Sequence, residues 1–244
     1  VLCAEKLLEG PVVVAFADTL FRANFKIDPE VDGILWVKQI EDPSAFGVVK
    51  LNDNGEIVDF VEKPKDFVSD LAMIGIYYFK DGLALRDELN FLVENGIIKS
   101  GEYQLPDALR RLTEKGKRFK PGEVDEWLDC GNYAATVYTN QRVLVNKAQE
   151  FVGTAARFDE SVTIHEPCFI GENVSLKNCV IGPHTSIGNN SSIENCTITN
   201  SIVQEQCSLN QFNCHDSLIG NHVVVKGSGA ATQEFSLGDF SSIG

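Results

Sequence analysis

The sequence is poor in the features that mark several large protein classes. Its 21 Lys and Arg are outnumbered by 35 Asp and Glu, and a formal net charge of −14 speaks against a nucleic acid polymer or an anionic membrane as partner. An anionic substrate stays open, because a nucleotide or sugar phosphate answers to local charge and bound metal. No apolar run approaches the ~20 residues of a membrane helix, and no signal peptide is visible. Seven cysteines are an odd number for a disulfide framework; none forms a Cys-x-x-Cys pair, and zinc-type spacing is missing. Free thiols in a reducing cytoplasm are the simpler reading. Histidine first occurs at His165, so the front of the chain offers no imidazole base. The one methionine is Met73, and the chain opens on Val1, where AEKLLEG reads as the end of a helix running straight into VVVAFAD. A natural start would rarely fall there, so the sequence reads as a fragment or processed product.

What is present is a globular composition. The 244 residues are 43% apolar and 23% charged, enough for one large domain or two ordinary ones. Residues 1–150 read as mixed α/β. Runs rich in Val, Ile and aromatics predict strands at Val12–Ala17, Gly33–Ile40, Phe46–Leu51, Glu56–Val61 and Met73–Phe79. Asn54-Gly55, between KLND and EIVDF, suits a tight hairpin turn. Apolar periodicity predicts helices at Gly82–Glu94 (Leu83, Leu85, Leu89 and Leu92), at Leu105–Lys115 and from about Tyr133 to Glu150, the last closing the domain. This order indicates a layered α/β domain rather than a barrel.

From Phe151 onward only three Lys or Arg occur, while Asn, Ser, Thr, Cys and Gly become dense. Ile164, Ile170 and Leu176 are six apart, as are Ile181, Ile187 and Ile193, and LKNC precedes IENC by seventeen residues. An apolar residue at every sixth position puts one inward side chain on each face of a three-sided coil. One coil cannot bury its own face, so coils stack, and Cys179 is predicted to lie near Cys196. The pattern loosens after Val203 and returns at Leu218-Ile219-Gly220 and Val225, leaving 227–244 as a capping tail or extra strand. Repeats of this kind resemble the left-handed parallel β-helix of the hexapeptide transferases over about Ser161–Gly227.

Three segments of the first domain together resemble the sugar-1-phosphate nucleotidyltransferases, which include glucose-1-phosphate thymidylyl- and uridylyltransferases. The first, VVVAFADTLF, is an apolar strand ending in Asp, which would put a carboxylate at the carboxyl edge of the sheet, where α/β folds bind ligands. The resemblance implies that Asp18 is a metal ligand; an isolated Asp there would more often cap a turn or helix. The second segment holds Phe-Gly-Val-Val followed by Val-Glu-Lys-Pro. By resemblance Gly47 offers backbone contact to the sugar, Glu62 accepts from sugar hydroxyls, and Lys63 pairs with the sugar phosphate. The chemistry agrees on its own terms, since a polyol needs acceptors and a transferring phosphate needs a fixed cation. The third segment runs from GEYQLPDAL to DEWLDCGNYAA. Its Gly-Glu before a helix implies a sugar contact at Glu102, and its Trp-x-Asp-x-Gly implies the second metal ligand at Asp129. Cys130 stands where the pattern usually has Thr and reads as a packing variant. Trp127 reads as core, with a pocket wall as its alternative.

The implied fold is a Rossmann-like mixed-sheet nucleotide-diphospho-sugar transferase domain, N-terminally truncated (1–150), then a left-handed parallel β-helix (151–226) and a tail (227–244). The implied catalytic set is Lys63, Asp18 and Asp129, with Mg²⁺ as cofactor because a hard ion suits carboxylates and phosphates together. Expected substrates are a hexose 1-phosphate, glucose 1-phosphate by default, and an NTP, with dTTP or UTP ahead of GTP or CTP; a homo-oligomer is expected. The glycine-rich loop ending in Arg and the Pro-Lys-Pro element that grip the triphosphate in such enzymes do not occur here. Nucleotidyl transfer is therefore expected of a parent protein, and the fragment itself is expected not to turn over. The alternatives are an acyl-CoA-dependent acyltransferase using His165, His184, His215 or His222 as base, and a non-catalytic assembly subunit.

Overall fold

A computed structural model of the chain describes residues 1–148, 158–229 and 231–244. They fall into two units, Val1–Asp129 and Cys130–Gly244. The boundary expected at residue 150 lies outside the described residues.

The first unit is a mixed sheet with helices on one face. Its strands are β1 (Val12–Ala15), β2 (Thr19–Arg22), β3 (Gly33–Gln39), β4 (Gly47–Leu51), β5 (Ile57–Glu62), β6 (Leu71–Phe79), β7 (Phe119–Glu123) and β8 (Glu126–Asp129). Its helices are α1 (Gly82–Glu94) and α2 (Leu105–Glu114). Six strands pair in the order β1-β6-β3-β7-β5-β4, and a bridge from Val48 to Ala72 ties β4 back to β6. β2 and β8 form a separate antiparallel ribbon. The two faces of β3 and β6 sort by the period of two: Leu35, Val37, Met73, Tyr77 and Phe79 meet α1 and α2, whereas Ile34, Trp36, Ile74, Ile76 and Tyr78 pack on the other side.

α1 begins where Asp81 accepts from the amide of Ala84 at 3.0 Å, and Leu85, Leu89 and Leu92 are buried as their spacing requires. Leu83, counted among its apolar positions, faces solvent. The expected two-residue turn at Asn54-Gly55 is a longer loop. Asn52 Oδ1 accepts from the amides of Asn54 and Glu56 at 3.0 and 2.9 Å, so the side chain two residues earlier organises the reversal. β2, β7 and β8 went unpredicted. β7 contains Pro121 and Gly122, which argue locally against a strand, and the ribbon strands are only four residues each.

The second unit is a three-faced parallel β-solenoid. One face stacks β10 (Cys168–Ile170), β13 (Thr185–Ile187), β16 (Ile202–Val203), β19 (Leu218–Ile219) and β21 (Ser236–Leu237). The next stacks β11 (Ser175–Lys177), β14 (Ser192–Glu194), β17 (Ser208–Asn210), β20 (Val224–Lys226) and β22 (Ser242–Ile243). The third stacks β9 (Val162–Ile164), β12 (Cys179–Ile181), β15 (Thr197–Thr199) and β18 (Asn213–His215). Ile170, Leu176, Ile181, Ile187 and Ile193 are buried in one core, with Ile164 packed against it. Cys179 and Cys196 occupy neighbouring coils of that core, next to the Val180–Thr197 pair. Corners are turned largely by Asn in the left-handed region, including Asn173, Asn178, Asn190, Asn195 and Asn200. Asn side chains also stack across coils, as in Asn178 to Asn195 at 3.1 Å.

The loosening after Val203 has a local cause. Ile187 pairs with Val203 and Ile181 with Ile198, so the third coil has lost one residue at the corner between its faces. The tail, expected as a cap or an extra strand, supplies two short strands. Leu218 pairs with Ser236 and Val224 with Ser242, so 236–243 adds a further rung to two faces.

α3 (Tyr133–Asn146), expected to close the first domain, belongs by its contacts to the solenoid unit. Asn140 Nδ2 donates to the carbonyl of His184 at 3.2 Å, and Ser186 Oγ donates to Asn140 Oδ1 at 2.6 Å. Polar side chains on α3 find the turn carbonyls and hydroxyls of the coil, which periodicity alone does not reveal. The predicted end of this helix at Glu150 lies outside the described residues.

Candidate functional site

The site is built around the strand ends of β4, β5 and β6. Gly47 and Glu62 pair across β4 and β5. A Cβ on residue 47 would meet Glu62 Oε2 at 2.7 Å and Met73 Cε at 2.5 Å, so the glycine makes room for the carboxylate itself. Lys63 follows with φ of 41°, a left-handed conformation unusual for a long side chain, held by its amide donating to the carbonyl of Phe46 at 3.1 Å. Such an outlier between Glu62 and Pro64 turns the chain sharply at the site.

Glu102 arrives from a different element. Residues Lys99–Glu102 close a tight turn through two reciprocal backbone hydrogen bonds of 3.0 Å, with Ser100 at φ 50° and Gly101 at φ 85°. Lys99 Nζ is anchored on Asp107 of α2, which fixes the turn to the helix that follows.

Glu62, Lys63 and Glu102 line one cavity of about 680 Å³. Its apolar wall includes Phe16, Tyr77, Leu89 and Leu92, and Tyr103 and Gln104 complete the rim. Phe16 and Tyr77 meet edge to face with ring centroids 5.6 Å apart. Gly75, at φ 82°, admits this arrangement, because a Cβ there would lie 3.0 Å from the Phe16 ring. Burial holds the Glu62 carboxyl above its usual range; Lys63 opposes that shift and Glu102 adds to it. Burial, followed by the Glu62 charge, raises the Tyr77 phenol. Lys63 is the one Lys or Arg side chain among the described residues of the lining. The cavity therefore offers two carboxylate acceptors, one cation and an aromatic wall, a set suited to a polyol carrying an anionic group.

The two aspartates lie elsewhere in the same unit. β1 stops at Ala15, and Asp18 sits exposed in the bend before β2, not at the end of the strand. That bend is fixed to β6 by Phe16 N donating to Gly75 O and Thr19 Oγ1 donating to Ile74 O, each at 2.9 Å. Thr19 pairs with Asp129 across the β2–β8 ribbon, so Asp18, one residue before β2, and Asp129 lie at the same end of it although far apart in sequence. Neither lines the cavity; Phe16, two residues before Asp18, does. Trp127 is not a cavity wall either. It packs on Phe46 at 4.9 Å and against the core opposite the helices.

Phe16, Tyr77 and Tyr103 were missed in the sequence. Tyr77 could have been found by alternation, since it shares a face of β6 with Met73 and Gly75, whereas nothing local marks Phe16.

On the solenoid, His184 and His222 occupy left-handed corners, and His222 stacks on Phe240 at 4.6 Å. His215 ends β18 with Nδ1 2.8 Å from Asp216 Oδ2.

Comparison with known proteins identifies the family. Residues 4–145 match the family described as Nucleotidyl transferase. The chain belongs to this family. A glucose-1-phosphate thymidylyltransferase of Streptomyces antibioticus is 30% identical over 250 residues, covering 95% of this chain and 68% of that one. Another from Streptomyces griseus is 26% identical, covering 80% of this chain and 58% of the relative. The bifunctional protein GlmU of Halalkalibacterium halodurans is 29% identical over 275 residues, which are 93% of this chain and 60% of that protein. The match to the nucleotidyltransferase pattern runs through α3, even though that helix packs with the solenoid.

Proposed function

We propose that the first unit is the sugar-phosphate and metal-binding part of a sugar-1-phosphate nucleotidyltransferase that joins a nucleoside monophosphate to a hexose 1-phosphate and releases pyrophosphate. The observation that carries this reading is the convergence of Glu62, Lys63 and Glu102 on one aromatic-walled cavity. Glu62 and Glu102 accept from sugar hydroxyls, and the hexose ring lies against Phe16 and Tyr77. Lys63 holds the phosphate so that its oxygen attacks the nucleotide α-phosphorus in line with the leaving pyrophosphate. No general base is needed, because a phosphate monoester is already an anion near neutral pH. This agrees with the absence of His before residue 165.

The donor chemistry of Asp18 and Asp129 fits Mg²⁺, since two carboxylates from adjoining positions of one ribbon give the oxygen ligands a hard cation takes. When bound, the ion neutralises charge on the α-phosphate and the leaving oxygens. The likeness to glucose-1-phosphate thymidylyltransferases supports glucose 1-phosphate with dTTP or UTP as the substrate pair.

Calorimetric titration of glucose 1-phosphate tests the cavity directly. Binding that Glu62→Gln and Lys63→Ala each weaken supports the assignment; equal affinity in all three proteins refutes it. Pyrophosphate release from dTTP plus glucose 1-phosphate, measured on this chain and on a longer form carrying a triphosphate-binding loop, shows whether the chain alone turns over.

A second reading, acyl transfer, is favoured by the His215–Asp216 contact, which would orient an imidazole base. Free thiol appearing from acetyl-CoA and glucosamine 1-phosphate, and lost in His215→Ala, would establish it.

A further inference from the structure

We propose that His215, Asp216 and Glu234 form a binding site for a divalent transition-metal ion of the Zn²⁺ class on the solenoid. The three side chains bring one imidazole nitrogen and two carboxylate oxygens within 4.8 Å of one another. His215 Nδ1 lies 2.8 Å from Asp216 Oδ2 and 3.9 Å from Glu234 Oε1. Ligands at tetrahedral Zn²⁺ distances are separated by roughly 3.3 Å, and the two spacings from the imidazole nitrogen lie on either side of that value. The metal would replace the proton between Nδ1 and Asp216. An imidazole with two carboxylates suits a borderline ion better than Mg²⁺ or Ca²⁺, and three protein ligands leave a fourth position open to water.

The backbone that carries these ligands is fixed independently of them. His215 and Asp216 lie on one coil and Glu234 on the next. His215 N donates to Gln233 O at 3.1 Å and Leu218 N donates to Phe235 O at 2.9 Å. Phe235 N donates to Ser217 Oγ, also at 2.9 Å. The Tyr133 hydroxyl from α3 reaches the carbonyls of both Asp216 and Phe235, clamping the two ligand-bearing segments side by side. Asn200 Nδ2 donates to Asp216 Oδ1, which leaves Oδ2 directed at the imidazole. An outer group that orients a ligand in this way is the usual companion of a metal site. Asp216 and Glu234 both flank the imidazole, so two carboxylates and one ring nitrogen face a common point.

The ligands all belong to the second unit, and the test does not depend on sugar-phosphate binding in the first. Zn²⁺ is titrated by calorimetry into the full chain carrying Cys3→Ser and Cys130→Ser, which removes the exposed and half-buried thiols as competitors. With excess Mg²⁺ present to occupy carboxylate sites that take a hard cation, one saturable Zn²⁺ step is expected. His215→Ala and Glu234→Gln should each weaken it by at least about tenfold, while His222→Ala leaves it unchanged. Glu234 is exposed, so its variant separates loss of a ligand from loss of fold. Three results overturn the proposal: no saturable step, an affinity that ignores both ligand variants, or dependence on His215 without Glu234, which would mean the His–Asp pair acts alone.

Discussion

Gly47 and Glu62 face one another across β4 and β5, so close that the smallest side chain on residue 47 would press on the carboxylate. The backbone of Gly47 is not in the left-handed region, so Gly47→Ala can fold, but only with Glu62 and Met73 displaced. The expected cost is about 1–2 kcal/mol of stability from overpacking, read by urea unfolding. Glucose 1-phosphate affinity is expected to fall roughly tenfold, about 1.4 kcal/mol, because the acceptor moves out of line. Affinity unchanged in a folded Ala variant would show that the Glu62 position does not matter for the ligand.

The ribbon register sets Asp129 opposite Thr19, next to Asp18, and the proposed metal site needs both carboxylates. In a form of the protein competent for pyrophosphate release, Asp18→Asn and Asp129→Asn should each slow turnover by roughly a hundredfold or more, with little change in melting temperature. The double variant should be no worse than the slower single one, since both act on the same ion. Rates that stay at the parent level in either single variant would remove that residue from the metal site.

Much of this arrangement was legible in the sequence, and the reasons differ by region. The solenoid announced itself because its inward positions recur at a fixed spacing, so Ile181, Ile187 and Ile193 could be placed on three faces without any structure. Glu62, Lys63 and Glu102 were legible through their motifs. The β2–β8 ribbon was not: its strands are short, and Thr19 pairs with Asp129 from the far end of the unit. Such pairing leaves no periodic trace. α3 misled for a related reason, because its pattern shows a helix with one apolar stripe but not which core receives it. Phe16 was hidden because its role depends on the open surface of Gly75 on another strand.

α1 and α2 carry a pH-sensitive contact outside the site. Glu88 is buried, and Arg111 Nε donates to its Oε2 at 2.7 Å while Lys115 Nζ takes Oε1. Burial pushes its carboxyl up, but the two cations outweigh burial and hold it below the ordinary glutamate range. A depressed folded-state value means that this contribution is fully present above the unfolded value of about 4.3 and is lost as pH falls through the folded one. Glu88→Gln should therefore destabilise by about 1–2 kcal/mol at pH 7, with the gap to the parent closing as pH falls below the ordinary glutamate value of about 4.3. Parallel stability curves across that range would mean that the ion pairs contribute nothing.

The seven cysteines divide by location, and their reactivity should divide with them. Cys3 is exposed and Cys130 half-buried, whereas Cys168, Cys179, Cys196, Cys207 and Cys214 are buried in the solenoid. Only the thiolate reacts with a disulfide reagent, and burial pushes the Cys168 and Cys214 thiols up to about 11. At pH 8 these two are thus almost wholly protonated as well as inaccessible. In native buffer an aromatic disulfide reagent should titrate Cys3 quickly and Cys130 more slowly, then stop. In strong denaturant all seven should react. At intermediate denaturant the appearance of the remaining five should follow the unfolding of the coils, because the ladder is shared between adjacent rungs and cannot be exposed one thiol at a time. Ile187→Ala, which empties a fully buried position of the same core, should advance that phase to lower denaturant by about 2–4 kcal/mol of stability. A third thiol reacting at full rate in native buffer would mean that the solenoid core is open where the interior cysteines stack.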